Sequence, residues 1–446
     1  MPIRRSTDVA PAPAARTTGT TAPVQPKPAA PAPAPANPLA SSVADFTPTR
    51  GTALQSKLNE IRTLLSGHTD RNEEKRILSI FKDAPAVELN QLMQGLSREE
   101  FHELASDMDD RLFGPDNKTA FMNLISKDRV GELSVESKAR FVQALQHGPT
   151  GSVDEKAITN VFLSTKGDQL SQLKGAIDLS GDHRDLQQLV FHDIDSKELR
   201  SSLLQHFKTA ASPKSDKVKV LSDIDDTFYA NLKDDRYPKK TVYPGVRALY
   251  AELDKGPGAT PDRTGDLMFL SARPYDRAGG IEHGTRSMLQ DQGVTQATVL
   301  SGDFAHLIGN SLIADKKFDN WKQVNQLYPE YGSVFIGDSG QGDAIFGEKA
   351  VGAKEDMRAV FIHNVTGLDE AAKAEFAKKG VTVFDTYVGA ATQAFQKGLI
   401  TSDGLQRVMS AASRELGEVH FDNAAQKAAR QAELDRDMAA ARAALA

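Results

Sequence analysis

The run Val218-Lys219-Val220-Leu221 ends in Ser222-Asp223-Ile224-Asp225-Asp226-Thr227. Alternating β-branched and apolar residues predict a strand, and in α/β sheets chemistry collects just beyond the carboxyl ends of the strands. Two carboxylates one residue apart can act there as a nucleophile and a proton-transfer group, or hold a hard divalent cation. Three further segments bring complementary groups. The apolar run 267–270 delivers the hydroxyl of Ser271. Lys317 opens a predicted helix through Trp321, Val324 and Leu327 that stops at Tyr328-Pro329. The run 334–337 delivers Asp338 and, after a glycine-rich turn, Asp343. Taken singly, each has a plain reading. Ser271 would cap a turn, Asp343 would cap a helix starting at Ala344, Lys316-Lys317 would be solvated, and Asp226 would be exposed or structural.

In this order the groups resemble the haloacid dehalogenase superfamily of phosphoryl-transfer enzymes. Asp223-Ile224-Asp225-Asp226-Thr227, Tyr243-Pro244-Gly245-Val246, Ile336-Gly337-Asp338-Ser339-Gly340-Gln341 and the strand at 359–365 are similar to the catalytic domain of the actin-patch-protein type of phosphatidate phosphatases. The resemblance covers roughly residues 215–395. It departs after Ser271, where this chain has Ala272-Arg273-Pro274-Tyr275 in place of the family's Pro-Trp-type segment. It implies an α/β fold with a haloacid dehalogenase-like Rossmannoid parallel sheet. Asp223 would attack phosphorus and Asp225 would protonate the leaving oxygen. Mg²⁺ would be held by Asp223, the Asp225 carbonyl and Asp338, with Asp343 in or beside that shell. Ser271 and Lys317 would bind the phosphoryl oxygens, and Thr227 would fix the loop or contact the phosphate. The expected activity is Mg²⁺-dependent phosphomonoester hydrolysis, with phosphatidate the leading substrate. The alternatives are a phosphatase for proteins or soluble esters, and a non-catalytic adaptor.

Other chemistries fit less well. Gly337-Asp338-Ser339-Gly340 also matches the serine segment of chymotrypsin-like proteases, but those need a partner His and Asp on an all-β, usually disulfide-bonded domain. This chain has no cysteine. Zinc is not expected, since His283, His306 and His363 lack ligand spacing. A net charge of −6 argues against bulk nucleic-acid binding. No apolar run is long enough to span a membrane, and no apolar stretch follows the basic residues Arg4-Arg5. A cytoplasmic location is expected, with peripheral membrane contact through Lys239-Lys240 and Lys316-Lys317, and with export by a route without a signal peptide left open.

The elements that must position these groups divide the chain into four. Residues 1–50 are rich in Pro and Ala and read as a disordered tail. Residues 53–208 read as an all-α domain with two repeats, a possible protein-binding surface. Thr69, Glu74, Ile77, Phe81, Leu89 and Leu92 recur at the same offsets as Thr150, Glu155, Ile158, Phe162, Leu170 and Leu173, each copy burying its apolar face against the other. The pattern is faintly similar to annexin repeats, without their calcium loop. Residues 215–415 form the expected catalytic domain, with no insertion long enough for a large cap. Residues 416–446 read as an Ala-rich, exposed helical tail.

Overall fold

The computed structural model describes residues 48–108, 116–179, 184–214, 216–257, 266–274, 280–294, 298–302, 309–353 and 355–446. Six strands form one sheet: β1 (Val218–Ser222), β2 (Leu267–Pro274), β3 (Thr298–Gly302), β4 (Gly332–Asp338), β5 (Met357–His363) and β6 (Val381–Phe384). Their order is β3-β2-β1-β4-β5-β6, and every pairing is parallel. This is the order of a doubly wound Rossmann-type α/β sheet. Its switch point lies between β1 and β4, where successive connections leave toward opposite faces and open a crevice. Asp223 follows β1 and Asp338 ends β4, so the crevice receives both.

Eighteen α-helices are described. Ahead of the sheet come α1 (Pro48–Leu64), α2 (Arg71–Asp83), α3 (Ala86–Gly95), α4 (Arg98–Asp107), α5 (Asn117–Asn123), α6 (Val135–Leu145), α7 (Ser152–Leu163), α8 (Gly167–Asp178), α9 (Leu186–Gln188) and α10 (Lys197–Ala210). Within and after the sheet come α11 (Val246–Lys255), α12 (Gly280–Asp291), α13 (Asn310–Leu327), α14 (Asp343–Val351), α15 (Glu370–Lys378), α16 (Tyr387–Gln396), α17 (Ser402–Glu418) and α18 (Ala424–Leu445). α5 and α9 each run on into a π-helical turn, at Leu124–Asp128 and Leu189–Asp193.

Alternation along the strands sends side chains into two cores. Val220, Val334, Ile336 and Phe361 pack with α11, α16, α17 and α18. Leu221, Phe335, Val360 and Ile362 face α13 and α14, and that core runs on without a break into the helices before the sheet. Both faces of the strands are therefore covered, as a parallel sheet requires.

Several expectations change here. Residues 1–47 lie outside the described set, and Pro48 to Arg50 already belong to α1. The two similar stretches form equivalent helix pairs, α2–α3 and α7–α8, but they do not bury their faces against each other. α5 stands between α2 and α7, and α6 between α3 and α8. α18 is not an exposed tail. Leu434, Met438 and Ala441 are buried in the core shared with α16 and α17. The helix of Lys317 starts at Asn310 rather than at Lys317. Between β1 and β2, and between β2 and α13, the described residues supply only α11, and α12 with β3.

Candidate functional site

Asp223 leaves β1 with its amide donating to the carbonyl of Ile336 on β4, 2.9 Å away. Ser222 donates to the Asp223 carbonyl at 2.7 Å and shares a 2.5 Å hydrogen bond with the buried hydroxyl of Tyr250. The residue is thus locked across the switch point. Asp338 is fixed by its own turn: its Oδ1 accepts the amide of Gly340 at 2.6 Å, and its Oδ2 accepts from Gln341. Asp343 opens α14 but does not cap it. Gly342 is the N-cap residue, while Asp343 turns one oxygen to Lys317 and accepts the Asp338 amide with the other at 3.2 Å.

Lys317 lies in the third turn of α13, 2 % exposed. Its ammonium donates to Asp223 Oδ1 at 2.8 Å and also to Asp343 Oδ1. Two devices place that helix. The Trp321 indole donates to Ser333 on β4 at 3.0 Å, and Gly342 has no room for a side chain, since a Cβ there would strike the Asn310 carbonyl. A one-carbon change at Gly342 would push α13 away from the carboxylates.

Asp223, Asp338 and Asp343 are all buried, and each offers a carboxylate oxygen within 4.8 Å of the other two. Three carboxylates face one ammonium, so ionising all of them leaves excess negative charge in a desolvated site. Burial accordingly pushes the Asp223 carboxyl up to about 7 against the pull of Lys317, with Asp343 adding to the rise. Burial, then the charges of Asp343 and Asp223, holds Asp338 well above the usual carboxylate range. Burial alone would lower Lys317, but Asp223 and Asp343 outweigh it and keep the ammonium protonated. The second oxygen of Asp223 is buried without a partner among the described residues, as is the hydroxyl of Thr227. A buried polar atom needs a partner, and the described residues supply none to either. Hard oxygen donors, excess negative charge and an unsatisfied Asp223 oxygen fit a divalent cation of the Mg²⁺ type.

Asp225 is separate from this cluster. It is partly exposed, and its Oδ1 accepts from Asn231 Nδ2 at 2.7 Å. The backbone reverses at Asp226, whose φ of 61° is one that Asp tolerates better than most residues. Asp226 is fully buried, not exposed. Its carboxylate accepts the amides of Asn231, Leu232, Lys233 and Asp234, which folds residues 226–234 into a closed loop that returns Asn231 to Asp225. Ser271 sits on β2 opposite Ser301 of β3. Its side chain, like Tyr275, lies outside the described residues.

Sequence reasoning passed over the support beneath this loop. His363, at the end of β5, takes the Asp226 carbonyl at Nδ1 (3.1 Å) and the Arg236 guanidinium at Nε2 (3.1 Å). Nδ1 is therefore the protonated nitrogen, and burial and then Arg236 pull the imidazole down to about 3, so it stays neutral. Asp234 binds the Arg236 guanidinium through two hydrogen bonds and accepts the Tyr243 hydroxyl at 2.8 Å. Tyr387 donates to the Thr227 carbonyl. The scattered histidine dismissed for zinc thus braces the loop. The signal available in the sequence was only a polar residue closing the apolar run 359–362.

The basic residues expected at the site mouth are largely committed. Lys317 is inside, Lys239 pairs with Asp235 at 3.0 Å, and Lys240 lies over the Tyr229 ring at 4.6 Å. No described helix is long and apolar enough to cross a membrane.

Comparison with protein-family models, curated proteins and solved structures finds no match to this chain. What defines its class is the doubly wound parallel α/β sheet, with an acidic site at its switch point.

Proposed function

We propose that the chain is a Mg²⁺-dependent phosphomonoester hydrolase of the haloacid dehalogenase type, acting through an aspartyl-phosphate. The observation that carries this reading is the buried Asp223 carboxylate: one oxygen on Lys317 and the other without a partner among the described residues, beside Asp338 and Asp343. A structural ion pair would satisfy both oxygens. Asp223, Asp338 and Asp343 would hold Mg²⁺, which when bound offsets the like charges of carboxylate and phosphate.

The residues then divide the work. Asp223 attacks phosphorus, and the leaving oxygen takes a proton from Asp225, which Asn231 orients. Asp225 next accepts a proton from the water that cleaves the acyl phosphate, and Asp223 is regenerated. Lys317 offsets charge on the phosphoryl oxygens from a position that Asp343 also fixes. The Thr227 hydroxyl, without a partner among the described residues, is available to a phosphoryl oxygen. Ser271, within the neighbouring strand β2, is assigned the same duty by the resemblance.

Phosphatidate is the substrate proposed, on the resemblance and on the lack of a large insertion over the site. Phosphate release from phosphatidate vesicles, phosphopeptides and sugar phosphates, each with and without Mg²⁺, tests the reading. Release only with Mg²⁺ and fastest from phosphatidate is expected. Release from none would overturn it.

A further inference from the structure

Among the described residues six large hydrophobic side chains are exposed, and three of them, Leu232, Leu312 and Ile345, stand around the mouth of the acidic site. Single exposed leucines need no explanation, but several gathered at one opening do. Leu232 is placed by the loop that serves Asp225. Its amide donates to the Asp226 carboxylate at 3.0 Å, and the preceding residue, Asn231, holds Asp225 Oδ1 at 2.7 Å. The backbone is therefore committed, while the side chain is 56 % exposed. The next residue, Lys233, lays its stem along Gly340, where a Cβ would come within 2.9 Å of that stem and 3.1 Å of Asp338 Oδ1. The loop tip thus closes one flank of the turn that joins Asp338 to Asp343.

The other flank belongs to α13. A Cβ at Gly342 would meet the Asn310 carbonyl and the Ala314 amide, and further along Asp315 pairs with Lys349 of α14. The two helices therefore run side by side in the same direction. Leu312 lies three residues before Asp315 and Ile345 four before Lys349, so each shares the stripe of its helix that the ion pair occupies. Leu312 is also five residues before Lys317, about one and a half turns nearer the start of α13.

The proposed chemistry says what such a rim would meet. The phosphoryl group belongs between Asp223 and Lys317, and the alcohol oxygen leaves toward Asp225. Leu232, next to the residue that holds Asp225, is then beside the alcohol. Its side chain and those of Leu312 and Ile345 offer neither hydrogen bonds nor charge. A sugar alcohol gains nothing from them, whereas a hydrocarbon gains about fourfold in binding for each methylene fully buried.

We propose that Leu232, Leu312 and Ile345 are specificity residues that receive the hydrocarbon of the ester's alcohol, an inference that rests on the phosphatase reading. Ethyl-, butyl- and hexylphosphonate share one headgroup, and their C–P bond is not the bond a phosphomonoester hydrolase cleaves. Calorimetric titration of the full-length protein with each, in Mg²⁺, therefore reads binding without turnover. Affinity should rise about twofold per methylene, the scale for a rim that buries each only in part. Leu232→Ser, and separately Leu312→Ser with Ile345→Ser, should flatten that rise, and Leu232→Met should keep it. Equal affinity for the three phosphonates, a rise that both serine variants leave unchanged, or a loss of the same size for all three would overturn the rim. Release of phosphate from ethyl, butyl and hexyl phosphate judges the reaction separately. Phosphonates bound with the chain-length rise while no ester is cleaved would sink the phosphatase reading and leave the rim standing. Binding of no phosphonate would overturn both.

Discussion

The ammonium of Lys317 bridges Asp223 and Asp343, 2.8 Å from the first and in direct contact with the second, on a helix that reaches the sheet across Gly342. One cation thereby holds the proposed nucleophile and the floor of the proposed metal site in a single arrangement. It compensates only part of the charge gathered there.

Asp223→Asn should lower turnover at least about 10³-fold, since an amide can neither attack phosphorus nor balance a cation. The same change removes a like charge from a buried cluster, so the melting temperature should hold or rise. Steady-state kinetics beside a thermal melt decides it, and robust activity in the variant would sink the covalent mechanism.

Asp225→Asn and Asn231→Ala should share a signature. The first removes the proton and the second releases the side chain that holds it, so alkyl phosphates should suffer more than nitrophenyl phosphate, whose leaving group needs no acid. Loss should reach about 10²-fold for the first on an alkyl ester and be smaller for the second. Equal losses on both esters would remove Asp225 from the role of acid.

Mg²⁺ should raise the melting temperature without any substrate, by up to about 2.7 kcal/mol of stability at a hundredfold excess over its dissociation constant. Bound metal needs ionised carboxylates, and Asp223 sheds its proton only near pH 7 with Asp338 held above its usual range. The gain should therefore be larger at pH 8 than at pH 6. Asp338→Asn should abolish it. A melt of that variant that Mg²⁺ raises as in the parent would place the metal elsewhere.

His363 predicts an acid limb of stability. Its pKa falls from about 6.5 unfolded to about 3 folded, so between those values the unfolded chain binds a proton that the folded chain refuses. The stability it contributes is complete above about pH 6.5 and is lost as pH falls toward 3, at up to about 1.4 kcal/mol per unit. Denaturant midpoints of the parent and His363→Gln, measured from pH 7 to 4, should converge on acidification. Parallel curves would show that His363 does not titrate this way.

A chain shortened to begin at Ser212 should melt well below the full-length protein. It would lose the fully buried Lys174, which binds Glu330 at 2.9 Å and the Leu327 carbonyl at 2.8 Å, and Asp178, which accepts from Tyr328. Those residues end the helix that carries Lys317, and a buried carboxylate stripped of its partner costs about 3–5 kcal/mol. Activity on a soluble ester should fall together with activity on vesicles. A fully active, equally stable fragment would assign the helices to targeting alone.

Much of the α/β half was legible in the chain. The strands at 218–222, 267–270, 334–338 and 381–384 follow from short apolar runs bounded by turn residues, because strand formation depends on local alternation. Asp223, Asp338 and Asp343 were named from their places after such runs and Lys317 from its place at a predicted helix start, and the structure gathers them. Local pattern could not show what the partners of each group would be. It left Asp343 between a metal site and a helix cap, and Asp226 between an exposed and a structural residue, since each pair of roles uses the same side chain. Only packing shows that one faces Lys317 and the other folds a loop around itself. The brace joins His363 to Arg236, Asp234 and Tyr243, more than a hundred positions away, and no spacing rule reaches that far. The same holds for α18 and for the seam between α8 and α13. An alanine-rich helix and a lone lysine look solvent-facing in one dimension. Burial is a property of what else the fold brings alongside, and tertiary structure alone decides it.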